Sequence, residues 1–414
     1  MAARLLVAMR RRRMKVPPGF SRLEGLTLIV TNRCNLRCRY CYQDRHDTTD
    51  MPWERAKAAV DLLLAASGER RARDSAGGET VAKIAFYGGE PLLKEALIRK
   101  VVTYVRREAP EGVIPRFSLF TNGLLLGEAV LGFLVEHGFE IQLSSDGVAE
   151  AQEDRGKGTF ERLDRLFDRF AACDPRLLRD RVRVALTITA RNVPHLAASA
   201  AYFHRKGVRR LVFDIATGFD PGWTPERLDL LESQIEAVYR FALRRFLHTG
   251  IVFVENFRHE SQDPPPRPGK RECGAGRGTS ISVDPYGTVT GCGFFLPYLR
   301  RGSTKFLDEN VPRRRGTIDR PEALIPETAY ERHVYGNPLW NDKAEKHTPI
   351  ETCRSCEFVA QCHVCPLSGG YLPGHRDPNL IPIWNCRFNK AILSRKKKFP
   401  PADTWLASLA ATPA

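Results

Sequence analysis

No apolar run in this sequence approaches the roughly 18 to 20 residues that a membrane-spanning helix needs, so a helical membrane protein is excluded. An export signal is missing too. The basic run Arg10-Arg11-Arg12-Arg13-Met14-Lys15 follows a short apolar piece, the reverse of secretory order, and Met9 or Met14 is the expected initiator. Acidic residues are in deficit, 48 against 64 lysines and arginines, for a formal charge of +16. Yet no helix-turn-helix, zinc-finger or aromatic RNA-binding motif accompanies that charge, and a nucleic-acid partner is not expected. The densest basic runs, Arg10 to Lys15, Arg313-Arg314-Arg315 and Arg395-Lys396-Lys397-Lys398, read as solvated tails and faces able to steer an anionic partner.

What is present is a globular composition, 43% apolar and 27% charged over 414 residues, long enough for two or three domains and a large core. Eleven cysteines without an export signal point to metal ligation in a reducing compartment, the cytoplasm, rather than to disulfides. Three of them, in Thr31-Asn32-Arg33-Cys34-Asn35-Leu36-Arg37-Cys38-Arg39-Tyr40-Cys41-Tyr42, are spaced to hold three irons of a cubane cluster. The fourth iron is then open to a substrate or cofactor, whereas clusters built for electron transfer alone usually take four cysteines. Zinc sites pair their ligands as separated C-x2-C units or use histidine, and this triplet does neither.

From about residue 25 to 235, β-rich runs alternate with amphipathic stretches, which predicts repeated βα units and a parallel sheet. The strands are expected at Leu26–Thr31, Lys83–Gly88, Arg116–Thr121, Glu140–Ser145, Val182–Thr189 and Leu211–Ile215, giving a partial (β/α)6 TIM-like barrel of the α/β class. Sites in such barrels lie at the C-terminal strand ends. The triplet, Tyr87-Gly88-Gly89-Glu90-Pro91, Thr121-Asn122-Gly123 and Ser144-Ser145-Asp146-Gly147 fall on four successive ends. Ile188, and Cys173 after the helical segment Phe160–Phe170, are expected in the core, the latter as a buried structural thiol.

The triplet, with Tyr40 before its third cysteine, resembles the radical S-adenosylmethionine (SAM) superfamily. That resemblance implies a [4Fe-4S] cluster held by Cys34, Cys38 and Cys41, SAM chelated to the open iron, and reductive cleavage to a 5′-deoxyadenosyl radical. Gly88-Gly89-Glu90-Pro91 resembles the family segment that receives the SAM amino group, assigning Gly88, Gly89 and Glu90 that role. Asn122 and Ser144 would line the SAM pocket, Ser144 and Arg155 at the SAM carboxylate, Arg155 by bidentate hydrogen bonds.

After Asp263-Pro264-Pro265-Pro266-Arg267-Pro268-Gly269 come seven further cysteines, Cys273, Cys292, Cys353, Cys356, Cys362, Cys365 and Cys386. Only five residues separate Cys356 from Cys362, against roughly 15 to 20 in zinc ribbons. Ile281–Thr290 reads as a β-hairpin turning at Pro285-Tyr286-Gly287. The pattern resembles the SPASM extension of radical SAM enzymes, which implies two auxiliary iron–sulfur clusters, one on Cys273, Cys292 and Cys365, the other on Cys353, Cys356, Cys362 and Cys386. Two residues, His363 and Val364, stand where the family usually has three, a departure that bears on Cys365. The expected divisions are a basic extension over 1–24, the barrel over 25–260, a linker over 261–272, a cysteine-rich hairpin and helix domain over 273–390, and a basic tail over 391–414.

Proteins of this resemblance mostly modify peptides or proteins, so oxidative maturation of a peptide is expected, with a flavodoxin or ferredoxin type of electron donor. Sulfatase maturases place an aspartate after the cysteine equivalent to Cys292. Here Gly293 follows, which lowers the formylglycine alternative. With about 25 residues before the first strand, leader recognition is expected from a separate protein or from the basic surface. An RNA-modifying radical SAM enzyme is the competing class, carried by the positive charge alone.

Overall fold

The protein is described by a computed structural model over residues 15–43, 47–74, 78–174, 176–259, 278–296, 299, 316–324, 343–362, 364–365, 368–374, 377 and 379–401. The predicted linker, Cys273, and the runs Arg10–Met14 and Arg313–Arg315 lie outside the described residues.

Six βα-type units follow one another. They comprise β1 (Gly25–Thr31), α1 (Trp53–Arg73), β2 (Thr80–Gly88), α2 (Glu95–Glu108), β3 (Val113–Thr121), α3 (Glu128–Glu136), β4 (Glu140–Ser144), α4 (Thr159–Cys173), β5 (Val182–Ile188), α5 (Leu196–Arg205), β6 (Leu211–Ile215) and α6 (Pro225–Thr249). Neighbouring strands from β1 to β6 pair in parallel. All six strands fall where the sequence places them, β2 and β3 starting three residues earlier. Strand burial alternates, as in Val182–Ile188, whose Val182, Val184, Leu186 and Ile188 are buried. That is the period-2 pattern of a sheet whose two faces differ. The helices bury one stripe each. On α2 it is Leu97, Ile98, Val101, Val102 and Val105, the 3.6-residue spacing of a helix packed on a sheet. Phe86, Phe117 and Phe139 stack within the core, with centroids 5.3–6.5 Å apart.

The sheet does not end at β1. Strands β7 (Ser280–Val283), β8 (Thr288–Thr290) and β9 (Gly316–Thr317) extend it to the order β6-β5-β4-β3-β2-β1-β7-β8-β9. β7 runs parallel to β1, with Leu28 opposite Val283, and the predicted hairpin forms by antiparallel pairing of β7 and β8. The cysteine-rich region therefore begins as a continuation of the barrel sheet.

Two expectations change. Cys173 is exposed, because it is the last residue of α4, one turn beyond Phe170, where the buried stripe of Leu163, Leu166, Phe167 and Phe170 ends. The basic run Arg395–Lys398 is the last turn of α7 (Ile383–Lys398), not the start of a free tail. This helix packs on α6 through Arg387, which pairs with Asp229 and Glu232, and Arg395, which pairs with Glu236. Cations in a last turn also suit the helix dipole.

Candidate active site

Residues 32–43 leave β1 as a loop, and its seat is the glycine pair after β2. The Gly89 amide donates to the Thr31 carbonyl at 3.0 Å, and the Glu90 amide to the Arg33 carbonyl at 2.8 Å. A Cβ on Gly88 would lie 2.3 Å from the Thr31 oxygen and one on Gly89 2.2 Å from the Arg33 oxygen. What approaches these glycines is the chain's own cysteine loop. Their missing side chains let two backbones touch.

Glu90 is fully buried. Its Oε1 accepts from the Leu92 amide and the Thr121 hydroxyl at 3.1 and 2.8 Å, and its Oε2 from the Asn122 amide at 2.8 Å. Both carboxylate oxygens are thus engaged in tying the ends of β2 and β3. Burial pushes its pKa up to about 7, against the pull of those three donors. Asn122, held this way, turns its side-chain amide to Asn35 at 2.7 Å and towards the Cys34 sulfur at 3.9 Å.

The three thiols of Cys34, Cys38 and Cys41 are half-buried and form no disulfide among the described residues. Burial pushes the Cys38 thiol up to about 11, and the Arg155 guanidinium acts in the opposite direction. Arg155 does not stand open at the pocket. It lies buried beneath the loop, bridged to Asp146 at 3.0 Å and 5.4 Å from the centre of the Tyr40 ring. The Tyr40 hydroxyl donates to the same carboxylate oxygen, Asp146 Oδ2. Asp146 also accepts the Thr187 amide at 3.1 Å. The buried Arg155–Asp146 pair thus braces Tyr40 in the C-terminal half of the loop, each charge paired, as buried charges must be. Ser144 ends β4, half-buried.

Tyr87 and Tyr42 were not singled out by the sequence reading. Both pack on Ile29, Leu296 and Leu299; Tyr42 meets Phe294 with centroids 5.0 Å apart, and Tyr87 meets Phe120 at 5.3 Å. Burial raises the Tyr87 hydroxyl far above its ordinary range, and thiolates at Cys41 and Cys292 push the same way. An apolar wall therefore runs from the triplet to Cys292. Its signal was the aromatic residue at each motif's edge.

In the second cysteine region, Cys353, Cys356, Cys362 and Cys386 line a single cavity together with Lys343, Lys346 and Lys390. Cys386 comes from α7 and the other three from the turns of residues 353–362. Burial pushes Cys386 up to about 12 and raises Cys353 as well. Such thiols lose their protons when a metal binds. Burial lowers the Lys346 ammonium, with Cys365, Cys353 and Asp377 acting against that shift. Cys365 opens onto a different cavity of about 110 Å³, shared with Asp214, Phe294 and Tyr371. These five thiols thus line two separate cavities. Among the described residues no three His, Cys, Asp or Glu side chains close around one metal ion. Four thiols lining one cavity fit an iron–sulfur cluster.

Residues 28–174 match the radical SAM superfamily. Within this stretch the chain is similar to a serine-type anaerobic sulfatase-maturating enzyme of Klebsiella aerogenes, 36% identical over 136 residues, or 31% of each chain. It spans 31% to 63% of the length of the first curated relatives it matches. Over nearly the whole chain the fold is that of anSMEcpe with bound AdoMet, at TM-score 0.66 and 19% identity, covering 93% of this chain and 98% of that one. Streptococcus suis SuiB bound to its precursor peptide SuiA follows at TM-score 0.53 and 15% identity, covering 87% and 74%. Residues 28–174 therefore form a radical SAM domain, set in a chain that shares its fold with anSMEcpe and SuiB.

Proposed function

We propose that this protein cleaves SAM reductively and uses the resulting radical to oxidise a side chain of a peptide or protein. The observation that carries this reading is the loop of Cys34, Cys38 and Cys41, seated on Gly88-Gly89 and joined by the Tyr42–Tyr87–Phe294 wall to Cys292. The cluster on the triplet would supply one electron and an open iron for SAM.

The chain's own groups prepare that site. Gly88 and Gly89 set the height of the loop. Asn122 and Ser144 form the neighbouring wall, where we place SAM. Glu90 holds Asn122, and Arg155 with Asp146 holds Tyr40 beneath the cluster. The positive charge of Arg155 favours the thiolate of Cys38 that iron needs. The tyrosine and phenylalanine rings keep water from the space between the triplet and Cys292, where a radical must survive.

Phe294 of this wall lines the cavity of Cys365, and four other thiols line a cavity of their own, so we assign two auxiliary clusters, one on Cys353, Cys356, Cys362 and Cys386, and one including Cys292, Cys365 and Cys273. Peptide chemistry is supported by the shared fold with SuiB, which was solved with a precursor peptide. The likeness to sulfatase-maturating enzymes favours, as a second reading, oxidation of a serine or cysteine side chain to formylglycine, and Gly293 in place of an aspartate weighs against it. A positively charged surface would steer an acidic electron donor of the flavodoxin or ferredoxin type. No described helix is long and apolar enough to cross a membrane.

Anaerobic reconstitution, iron counting and addition of dithionite with SAM test the reading. About twelve irons per chain, three cubanes of four, together with 5′-deoxyadenosine are expected. Zinc without SAM cleavage would end it.

A further inference from the structure

Lys346 is only 5% exposed, and among the described lysines and arginines only Arg155, at 7%, is comparably buried. Lysine is almost never fully buried without a partner, because removing its charge from water is costly. Its surroundings explain it. Lys346 lines the cavity of Cys353, Cys356, Cys362 and Cys386, and its carbonyl accepts the Cys353 amide at 2.8 Å, which ties its backbone to the first thiol of that set. The anionic groups acting on its ammonium are Cys365 and Cys353, one from each cysteine set, and Asp377. Of the other two lysines of the cavity, Lys390 is paired with Glu351 at 2.5 Å, and half-buried Lys343 reaches the Ala360 carbonyl.

We propose that Lys346 is a fixed positive charge between the two auxiliary iron–sulfur sites, and that it stabilises the reduced state of the cluster held by Cys353, Cys356, Cys362 and Cys386. This rests on the assignment of that cavity to an iron–sulfur cluster. The physical reason is charge balance. A cluster with four thiolate ligands is an anion that becomes more negative on taking up an electron, and nearby charge and hydrogen bonds set the potential at which it does so. A cation fixed by burial and by its backbone bond to Cys353 favours the more negative state. It is screened little by salt, unlike the exposed basic runs. Lys346 acts through the cluster and is therefore a positioning residue, not a catalytic one.

The test is a mediated redox titration of the full chain, reconstituted anaerobically and followed by electron paramagnetic resonance, with dithionite delivering one electron per cluster and no SAM present. The relevant signal is identified by its loss in Cys386→Ala. Lys346→Met is expected to keep wild-type iron and to lower the reduced-to-oxidised ratio of that cluster at least tenfold at a given potential, 59 mV for a one-electron couple. Lys346→Arg is expected to restore the wild-type curve. Superimposable curves for wild type and Lys346→Met would overturn the proposal. So would loss of about four irons in both Lys346→Met and Lys346→Gln with retention in Lys346→Arg, which would make the lysine structural. A wild-type chain that holds only about four irons overturns the cavity assignment, and the proposal with it, before any potential is read.

Discussion

At the scale of single residues, Gly89 and Glu90 are the most exposed to test. A Cβ at position 89 would sit 2.2 Å from a backbone oxygen of the cysteine loop, and backbone cannot swing aside as a side chain can. Gly89→Ala is expected to lift the loop at a cost of about 1–3 kcal/mol, typical of overpacking, and to reduce 5′-deoxyadenosine formation at least tenfold while circular dichroism stays native. Cys34→Ala, Cys38→Ala or Cys41→Ala should abolish that product, measured by chromatography. Glu90 makes a pH prediction. Its folded pKa of about 7 lies above the ordinary 4.5, so the folded state holds the proton longer than the unfolded chain. Stability then falls as pH rises from about 4.5 through 7 and levels off above it, by a total on the order of 3 kcal/mol. Glu90→Gln should lack that slope. Melting temperatures of both proteins across pH 5 to 8 check it, and parallel curves would refute it. The residue types at these positions were legible from the sequence. Their orientation was not, because Glu90 turns inward to three donors of its own chain, two of them 31 and 32 residues away.

At the scale of elements, the hairpin and α7 connect the two cysteine regions. The hairpin is pinned to the barrel by Arg55 of α1, which donates to the Pro285 carbonyl at 2.8 Å and bridges Asp319 at 2.9 Å, and by Tyr286, which bonds Asp47 beyond the cysteine loop. α7 brings Cys386 to its cavity and is clipped to α6 by Arg387 and Arg395. These pairs are partly exposed and so are worth little individually. Arg387→Ala, which removes contacts to both Asp229 and Glu232, is expected to cost about 1 kcal/mol and to lower the melting temperature by about 1 °C. High salt should shrink the difference, since it screens such pairs. The strands and the hairpin were readable from period-2 patterns and turn residues. The parallel pairing of β7 with β1 was not, because the two strands lie some 250 residues apart in sequence and nothing local encodes their partnership. Cys173 shows the same limit: cysteine type predicted burial, but its place as the last residue of α4 put it outside.

At the scale of the whole molecule, the separation of cysteine sets and the net charge make the predictions. If the C-terminal thiols hold their own cluster, Cys356→Ala should bring the iron count down by about four, one cubane, as measured by inductively coupled plasma spectrometry. The charge of +16 predicts salt-sensitive association with any polyanion. Binding to transfer RNA and to an acidic peptide, compared across salt, separates nonspecific attraction from function. A steep salt slope for RNA without modification is the expected result, and productive modification of RNA would overturn the peptide reading.

By itself, the sequence determined the chemistry: cysteine spacing sets which metal group the loop suits, and hydrophobic period sets strand and helix, both being local properties of the chain. Only the tertiary structure decided where that chemistry meets. It placed Tyr87 and Tyr42 between the triplet and Cys292, buried Arg155 against Asp146, and put Lys346 beside both thiol sets. Those contacts join residues tens to hundreds of positions apart, and they arise from close packing of a continuous nine-stranded sheet, which no short window of sequence contains.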